Sequence, residues 1–223
     1  MRLSERPLLR TLALAAAMAA VLMPAGPASA SPTSPTSPAA APPDGAAIVS
    51  VTGFGSGCTS DSVKASWGDA SAFRVTYGDF RARAGGDSGP LDFVKSCSVS
   101  VELAIPAGYT AALTGAKSLL YAEVADGATA THRTRAYWQG TTAENRWTRA
   151  QHGPFADSWI STGSADPAQL VYSPCGENRR LQITTTLTVA RGTSSPVETS
   201  SIEFDNSWGG ANASYRLTWK ACP

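Results

Sequence analysis

Four stretches of this chain alternate apolar and polar side chains with a period of two, and that alternation constrains the fold more than any other feature. Cys97, Val99, Val101, Leu103 and Ile105 are interleaved with Ser98, Ser100, Glu102 and Ala104. Leu181, Ile183, Thr185, Leu187 and Val189 alternate with Gln182, Thr184, Thr186 and Thr188. Shorter runs repeat the pattern at Phe73, Val75 and Tyr77, and at Tyr215, Leu217 and Trp219. In a strand, successive side chains point to opposite faces, so each run predicts a strand with one face on a core and one in water. Between them, Pro106-Ala107-Gly108 predicts a turn into a strand starting near Tyr109, and Asp126-Gly127 predicts a tight hairpin. Gly68-Asp69 and Gly209-Gly210 mark further loops. Lys117 to Ala125 has a helical look, yet it runs straight into Asp126-Gly127 and another β-like stretch, so it is read as strand. The expected class is all-β, an antiparallel sandwich of jelly-roll or immunoglobulin-like kind. The immunoglobulin spacing of a Trp between two bridged cysteines is not clear, which leaves the topology open.

The N-terminus sets the compartment. Arg2, Arg6 and Arg10 precede an apolar run from Leu12 to Met23, and Ala28-Ser29-Ala30 follows as a small-x-small site. These are the parts of a secretory signal peptide, with cleavage expected after Ala30. The run is shorter than the roughly 20 residues that span a bilayer, so no membrane attachment is expected after cleavage. Residues 31–43 read SPTSPTSPAAAPP, a composition that cannot build a core and favours extended backbone. The expected organisation is a signal peptide over 1–30, a linker over 31–45 and one β domain over 46–223. The chain carries +1; losing Arg2, Arg6, Arg10 and Glu5 with the leader makes that −1. A near-neutral chain has no electrostatic footprint for nucleic acid and no polybasic patch for an anionic membrane.

All four cysteines, Cys58, Cys97, Cys175 and Cys222, fall in the expected domain. An even count in an exported chain predicts two disulfides, with three connectivities possible. Cys58–Cys97 with Cys175–Cys222 is the expected pairing, because sequence neighbours are usually neighbours in space. The wide spacings contain no C-x-x-C, which argues against zinc.

Catalytic motifs fail on inspection. Gly85-Gly86-Asp87-Ser88-Gly89-Pro90 is similar to a serine-protease nucleophile loop, but both histidines, His132 and His152, follow Ser88 in the chain. Its composition is that of a turn. Gly53 to Cys58 is a second glycine cluster; without a following helix it is read as a tight path that positions Cys58, not as a phosphate cradle. Pro174-Cys175-Gly176 is read the same way. Glu203, Asp205 and Asn206 are potential calcium donors without the spacing of a calcium loop. Glu102, Glu123, Asp157 and Glu203 would serve a hydrolase only if the fold gathered them. No cofactor is expected.

One strand stands apart. In Thr131-His132-Arg133-Thr134-Arg135-Ala136-Tyr137-Trp138, period two places Thr131, Arg133, Arg135 and Tyr137 on one face and His132 and Trp138 on the other. Guanidinium groups pair with anions and aromatic rings stack on sugar faces, so Arg133, Arg135 and Tyr137 are the candidate binding residues. Trp147, Trp159 and Trp208 are candidates to widen the surface. A solvated face with snorkelling arginines explains the same pattern, and on sequence alone that plainer reading is the stronger.

The cysteine contexts carry a resemblance. Gly55-Ser56-Gly57-Cys58, Asp79-Phe80, Lys95-Ser96-Cys97, Ser173-Pro174-Cys175-Gly176 and Leu217-x-Trp219-x-x-Cys222 together resemble a family of exported proteins of filamentous bacteria and fungi, domain of unknown function 4360. That family usually has Pro after the first Cys, where this chain has Thr59. The resemblance implies an exported, β-rich fold with bridged cysteines and brings no catalytic residues. The expected function is a non-enzymatic extracellular module that binds a polysaccharide, an envelope component or a protein. The alternatives are an exported hydrolase and an inhibitor of an extracellular protease.

Overall fold

Residues 41–68, 71–206 and 213–223 are described by the computed structural model of the chain. The expected signal peptide, most of the expected linker, Asp69, Trp208 and Gly209-Gly210 lie outside the described residues. The strands are β1 (Ala47–Phe54), β2 (Val63–Trp67), β3 (Ala72–Tyr77), β4 (Arg81–Ala84), β5 (Val94–Ala104) and β6 (Tyr109–Val124), followed by β7 (Thr129–Trp138), β8 (Asn145–His152), β9 (Phe155–Ser164), β10 (Arg179–Ala190), β11 (Ser200–Phe204) and β12 (Ala213–Ala221). The four alternating runs lie in β3, β5, β10 and β12, and their apolar positions are the buried ones. The stretch with a helical look is the second half of β6.

These strands make two antiparallel sheets. One has the order β1-β5-β10-β7-β8; the other runs β2-β3-β12-β6-β11-β4, with β9 also paired to β6. The 16-residue β6 organises the second sheet. Ala213 to Ala221 of β12 pair along Ser118 to Tyr109, and Ser201 to Phe204 of β11 pair along Glu123 to Leu120. β9 pairs with Gly115 to Val124. β12 and β11 therefore follow one another along one edge of β6, and β9 takes the other.

The two sheets bury one core between them. Val99, Val101 and Leu103 of β5 and Leu181, Ile183 and Leu187 of β10 face Phe73, Tyr77, Leu120, Phe204 and Tyr215 of the other sheet. Tyr77 stacks on Phe204 at 4.5 Å and Phe73 on Tyr215 at 5.3 Å between ring centroids. The buried phenols need partners, since an unpaired hydroxyl in a core is costly. Tyr77 and Tyr215 bond each other at 3.1 Å, and Tyr77 meets Thr185 Oγ1 of the opposite sheet at 3.4 Å. Burial pushes both phenols above their ordinary pKa.

The turn at Asp126-Gly127 departs from expectation. It is tight, with Ala128 N donating to Ala125 O at 3.0 Å and Gly127 at φ +78°. It does not close a hairpin, because β6 and β7 belong to different sheets. The C-terminal half of β6 already has β11 on one edge and β9 on the other, so no edge remains for β7. The chain instead crosses to the five-stranded sheet and pairs with β10. The turn at Pro106 also changes sheets, from β5 to β6, with Tyr109 N donating to Pro106 O at 3.1 Å.

Both disulfides have the expected partners. Cys58–Cys97, 5.4 Å between Cα atoms, ties the β1–β2 connection to β5. Cys175–Cys222, 5.8 Å apart, ties the segment before β10 to the end of β12. The glycines around Cys58 hold a crowded path. Gly55 has φ +144°, and a Cβ there would lie 2.2 Å from Ser96 O; one on Gly57 would strike the Phe80 ring at 2.2 Å. Cys58 and Cys97 are buried at 9% and 0% exposure, whereas Cys175 is exposed. Thiol–disulfide exchange requires access to sulfur. Graded reduction of the native protein should therefore open Cys175–Cys222 first, as read by alkylation and peptide mapping. Simultaneous opening of both bridges would contradict this order.

Candidate functional site

β7 has the faces that its sequence predicts. Ala130, His132, Thr134, Ala136 and Trp138 are buried against the core, and Arg133 and Arg135 are exposed, with Thr131 and Tyr137 half-buried beside them. The strand lies between β10 and β8, which fixes what surrounds the row. Arg133 stands opposite Thr186 on β10 and Thr148 on β8; Arg135 stands opposite Thr184 and Arg146; Tyr137 stands opposite Gln182.

Short hydroxyls carry the face onward across β10 and β5. Thr184 and Ser98 bond at 3.0 Å, Thr186 and Ser96 at 3.2 Å, and Gln182 Nε2 donates to Ser100 Oγ at 2.8 Å. At the far side Glu102 accepts from Ser50 at 3.1 Å and from Arg180 at 3.2 Å. The result is a broad polar surface whose large aliphatic side chain on β5, β10 and β7 is Val94 at the start of β5, because alternation sends the others to the core.

Charge is concentrated at the β7–β8 side. Glu144 accepts from the guanidinium groups of both Arg135 and Arg146. The Arg135 contact, then that of Arg146, holds the Glu144 carboxyl below its usual pKa, and Glu144 raises that of Arg135. Arg135 Cζ also lies 4.9 Å from the centre of the Tyr137 ring, a cation–π contact that orients both side chains. Among the described residues, Arg133 has no carboxylate partner. Three arginines against one glutamate leave this corner of the sheet positive.

The other sequence candidates are placed elsewhere. Trp147 and Trp159 do not widen the surface, as was expected of them. Period two turns Trp147 to the side opposite Arg146 and Thr148, where its ring packs over Gly163 and its Nε1 donates to Ser164 O at 3.1 Å. Trp159, opposite Leu120, packs against the core. Trp208 lies outside the described residues. Ser88 donates to Gly85 O and closes its own turn. His132 lies in the core, its Nδ1 2.8 Å from Ser161 Oγ, and burial lowers its pKa to about 4. His152 Nδ1 meets Thr129 Oγ1 at 3.1 Å. Neither imidazole is bonded to Ser88.

The four carboxylates do not converge. Glu102 is on the outer face of the five-stranded sheet, Glu123 and Glu203 are on the outer face of the other, and Asp157 is on the edge strand β9. Glu203 pairs with Arg81 at 3.2 Å, and Asp205 accepts from Ser158 at 2.5 Å. Among the described residues, no three or more His, Cys, Asp and Glu side chains gather as a metal site.

Sequence reasoning missed Glu144, Arg146 and the hydroxyl rows of β5 and β10 as parts of one surface. The short Gln139 to Glu144 connection, with Gly140 at φ +86°, is the one local signal that β8 folds back beside β7. The Ser98–Thr184 and Ser96–Thr186 contacts join residues 86 and 90 apart and have no local signal.

Two antiparallel sheets, two disulfides and a polar outer face define a disulfide-stapled β-sandwich of the extracellular kind. Residues 44–222 match the family model described as Domain of unknown function (DUF4360), and the chain belongs to that family. An uncharacterized secreted protein of Arthroderma benhamiae is 28% identical over 142 residues, covering 63% of this chain and 58% of that protein. The chain thus spans less than two thirds of that relative's length. With a secreted relative and bridges that persist in oxidising surroundings, the protein is secreted. Among solved structures, the Momordica charantia 7S globulin is matched with a TM-score of 0.16 and 12% identity, over 67% of this chain and 36% of that one.

Proposed function

We propose that the protein is a secreted, non-enzymatic binding module whose outer five-stranded face holds an extracellular polysaccharide of a cell envelope. One observation carries this reading: Arg133, Arg135 and Tyr137 stand side by side on an open sheet face bordered by hydroxyls. A sugar chain presents hydroxyls along its edges and apolar ring faces. Guanidinium and threonine groups answer the former and the Tyr137 ring the latter. A hydrogen-bonded sheet also presents these groups without reorganisation of its backbone, which limits the entropy lost on binding.

Sedimentation with insoluble polysaccharides and with bacterial and fungal cell walls tests the reading. Selective, saturable retention is expected. Replacing Arg133, Arg135 and Tyr137 together by Ala should weaken it at least tenfold, with the thermal midpoint near that of the wild type because the side chains lie outside the core. Retention unchanged in that variant would reject this surface.

A further inference from the structure

The geometry points to an acidic glycan, one bearing uronic-acid carboxylates, as the ligand of the five-stranded face, with Arg133 as the residue that recognises the acid group. This deepens the proposed function and rests on its assignment of the face. Of the three arginines on this face of β7 and β8, Arg135 and Arg146 share the carboxylate of Glu144, and Arg133 has no carboxylate partner among the described residues. Its cross-strand neighbours are Thr186 and Thr148, and along its own strand stand Thr131 on one side and Arg135, paired with Glu144, on the other. An exposed guanidinium with three hydroxyl neighbours and no carboxylate of its own has free donor edges, which match both oxygens of a carboxylate. The threonines reach the hydroxyls of the same sugar unit. Arg133 and Tyr137 are four residues apart on one strand, about 13 Å, so the acid group and the stacked ring fall on different units of one extended chain.

The charge density selects the kind of anion. Polyphosphates and heavily sulfated chains are gripped by clusters of cations and drawn in by a strongly positive field. This chain is +1 overall and −1 without its leader, and its face has a single unpaired arginine among many hydroxyls. One positive charge per several hydroxyls is the complement of a glycan with one carboxylate among several hydroxyls.

Equilibrium binding of the full secreted protein is measured with polygalacturonate, its fully methyl-esterified form, a neutral β-glucan and a poly(glycerol phosphate). The acid form should bind at least tenfold tighter than the ester, and 0.5 M salt should remove most of that difference through screening. Arg133→Gln should weaken binding of the acid about tenfold and that of the ester by no more than about twofold, at an unchanged thermal midpoint. Equal binding of acid and ester, both weakened by Tyr137→Ala, would overturn the acidic ligand and leave the face standing. Tighter binding of poly(glycerol phosphate) than of polygalacturonate would overturn the carboxylate assignment. Binding that neither variant alters would overturn the face itself. No binding to any of the four would overturn the uronate assignment, and wall retention of the triple variant would then judge the face separately.

Discussion

Replacing Cys58 and Cys97 together by Ala should lower the stability of the oxidised protein by about 5 kcal/mol, with removal of Cys175–Cys222 costing about 4 kcal/mol. The bridges span 39 and 47 residues. Closing loops of that size removes about 4 kcal/mol of conformational freedom from the unfolded chain in the entropy account. The two bridges differ in what else is lost. Cys58 and Cys97 belong to the buried core, so their truncation also leaves a void there, and cavities add to the cost. Cys175 is exposed, and its loss removes the tether with little packing. Domains of this kind hold about 5–15 kcal/mol in total, so the inner bridge is a large share. Urea unfolding of the wild type and both double variants reads the difference. A loss below 1 kcal/mol for the inner pair would show that the bridge does not constrain the unfolded state.

The second large effect is acid destabilisation through His132. In the folded protein the ring is buried among Ser161, Thr134 and Phe204, with no ionisable partner, and its pKa falls to about 4. In the unfolded chain it returns to about 6.5. Above pH 6.5 the ring is neutral in both states and the folded protein has its full stability. As the pH falls from 6.5 to 4, the unfolded chain takes up a proton that the folded one refuses, and about 3 kcal/mol is lost across that window. Below 4 the loss from this residue is complete. Asp92 and Glu144 have carboxyls held below the usual range by Lys95 and Arg135, so stability from them is lost only in more acid solution. The window between pH 6.5 and 4.5 therefore belongs mainly to His132. Urea unfolding at several pH values should show this slope in the wild type and a much flatter one in His132→Gln. An NMR titration of the imidazole should find it neutral until about pH 4. An equal slope in the variant, or protonation of the folded ring near pH 6.5, would refute the assignment.

The candidate site was half legible. The division of β7 into an outer row of Arg133, Arg135 and Tyr137 and an inner row of His132 and Trp138 follows from period two alone, and the structure has those rows. Glu144, which orients Arg135, and Thr186, which borders Arg133, were invisible because each reaches β7 through another strand. Trp147 and Trp159 misled for a related reason. β8 and β9 are edge strands with several exposed residues on both faces, so neither has the clean alternation that tells an inward ring from an outward one.

By itself, the sequence determined the class of fold and the faces of its regular strands, and it favoured the cysteine pairing that the structure has. Those depend on side-chain direction along a strand and on proximity along the chain, both of which are local. Only the tertiary structure decided which sheet each strand joins, that the Asp126-Gly127 turn crosses between layers, and that the polar faces of β5, β10 and β7 form one surface. A strand's hydrogen-bonding edge carries the same backbone groups whatever its sequence, so its neighbour is chosen by the burial that the assembled sheets achieve together.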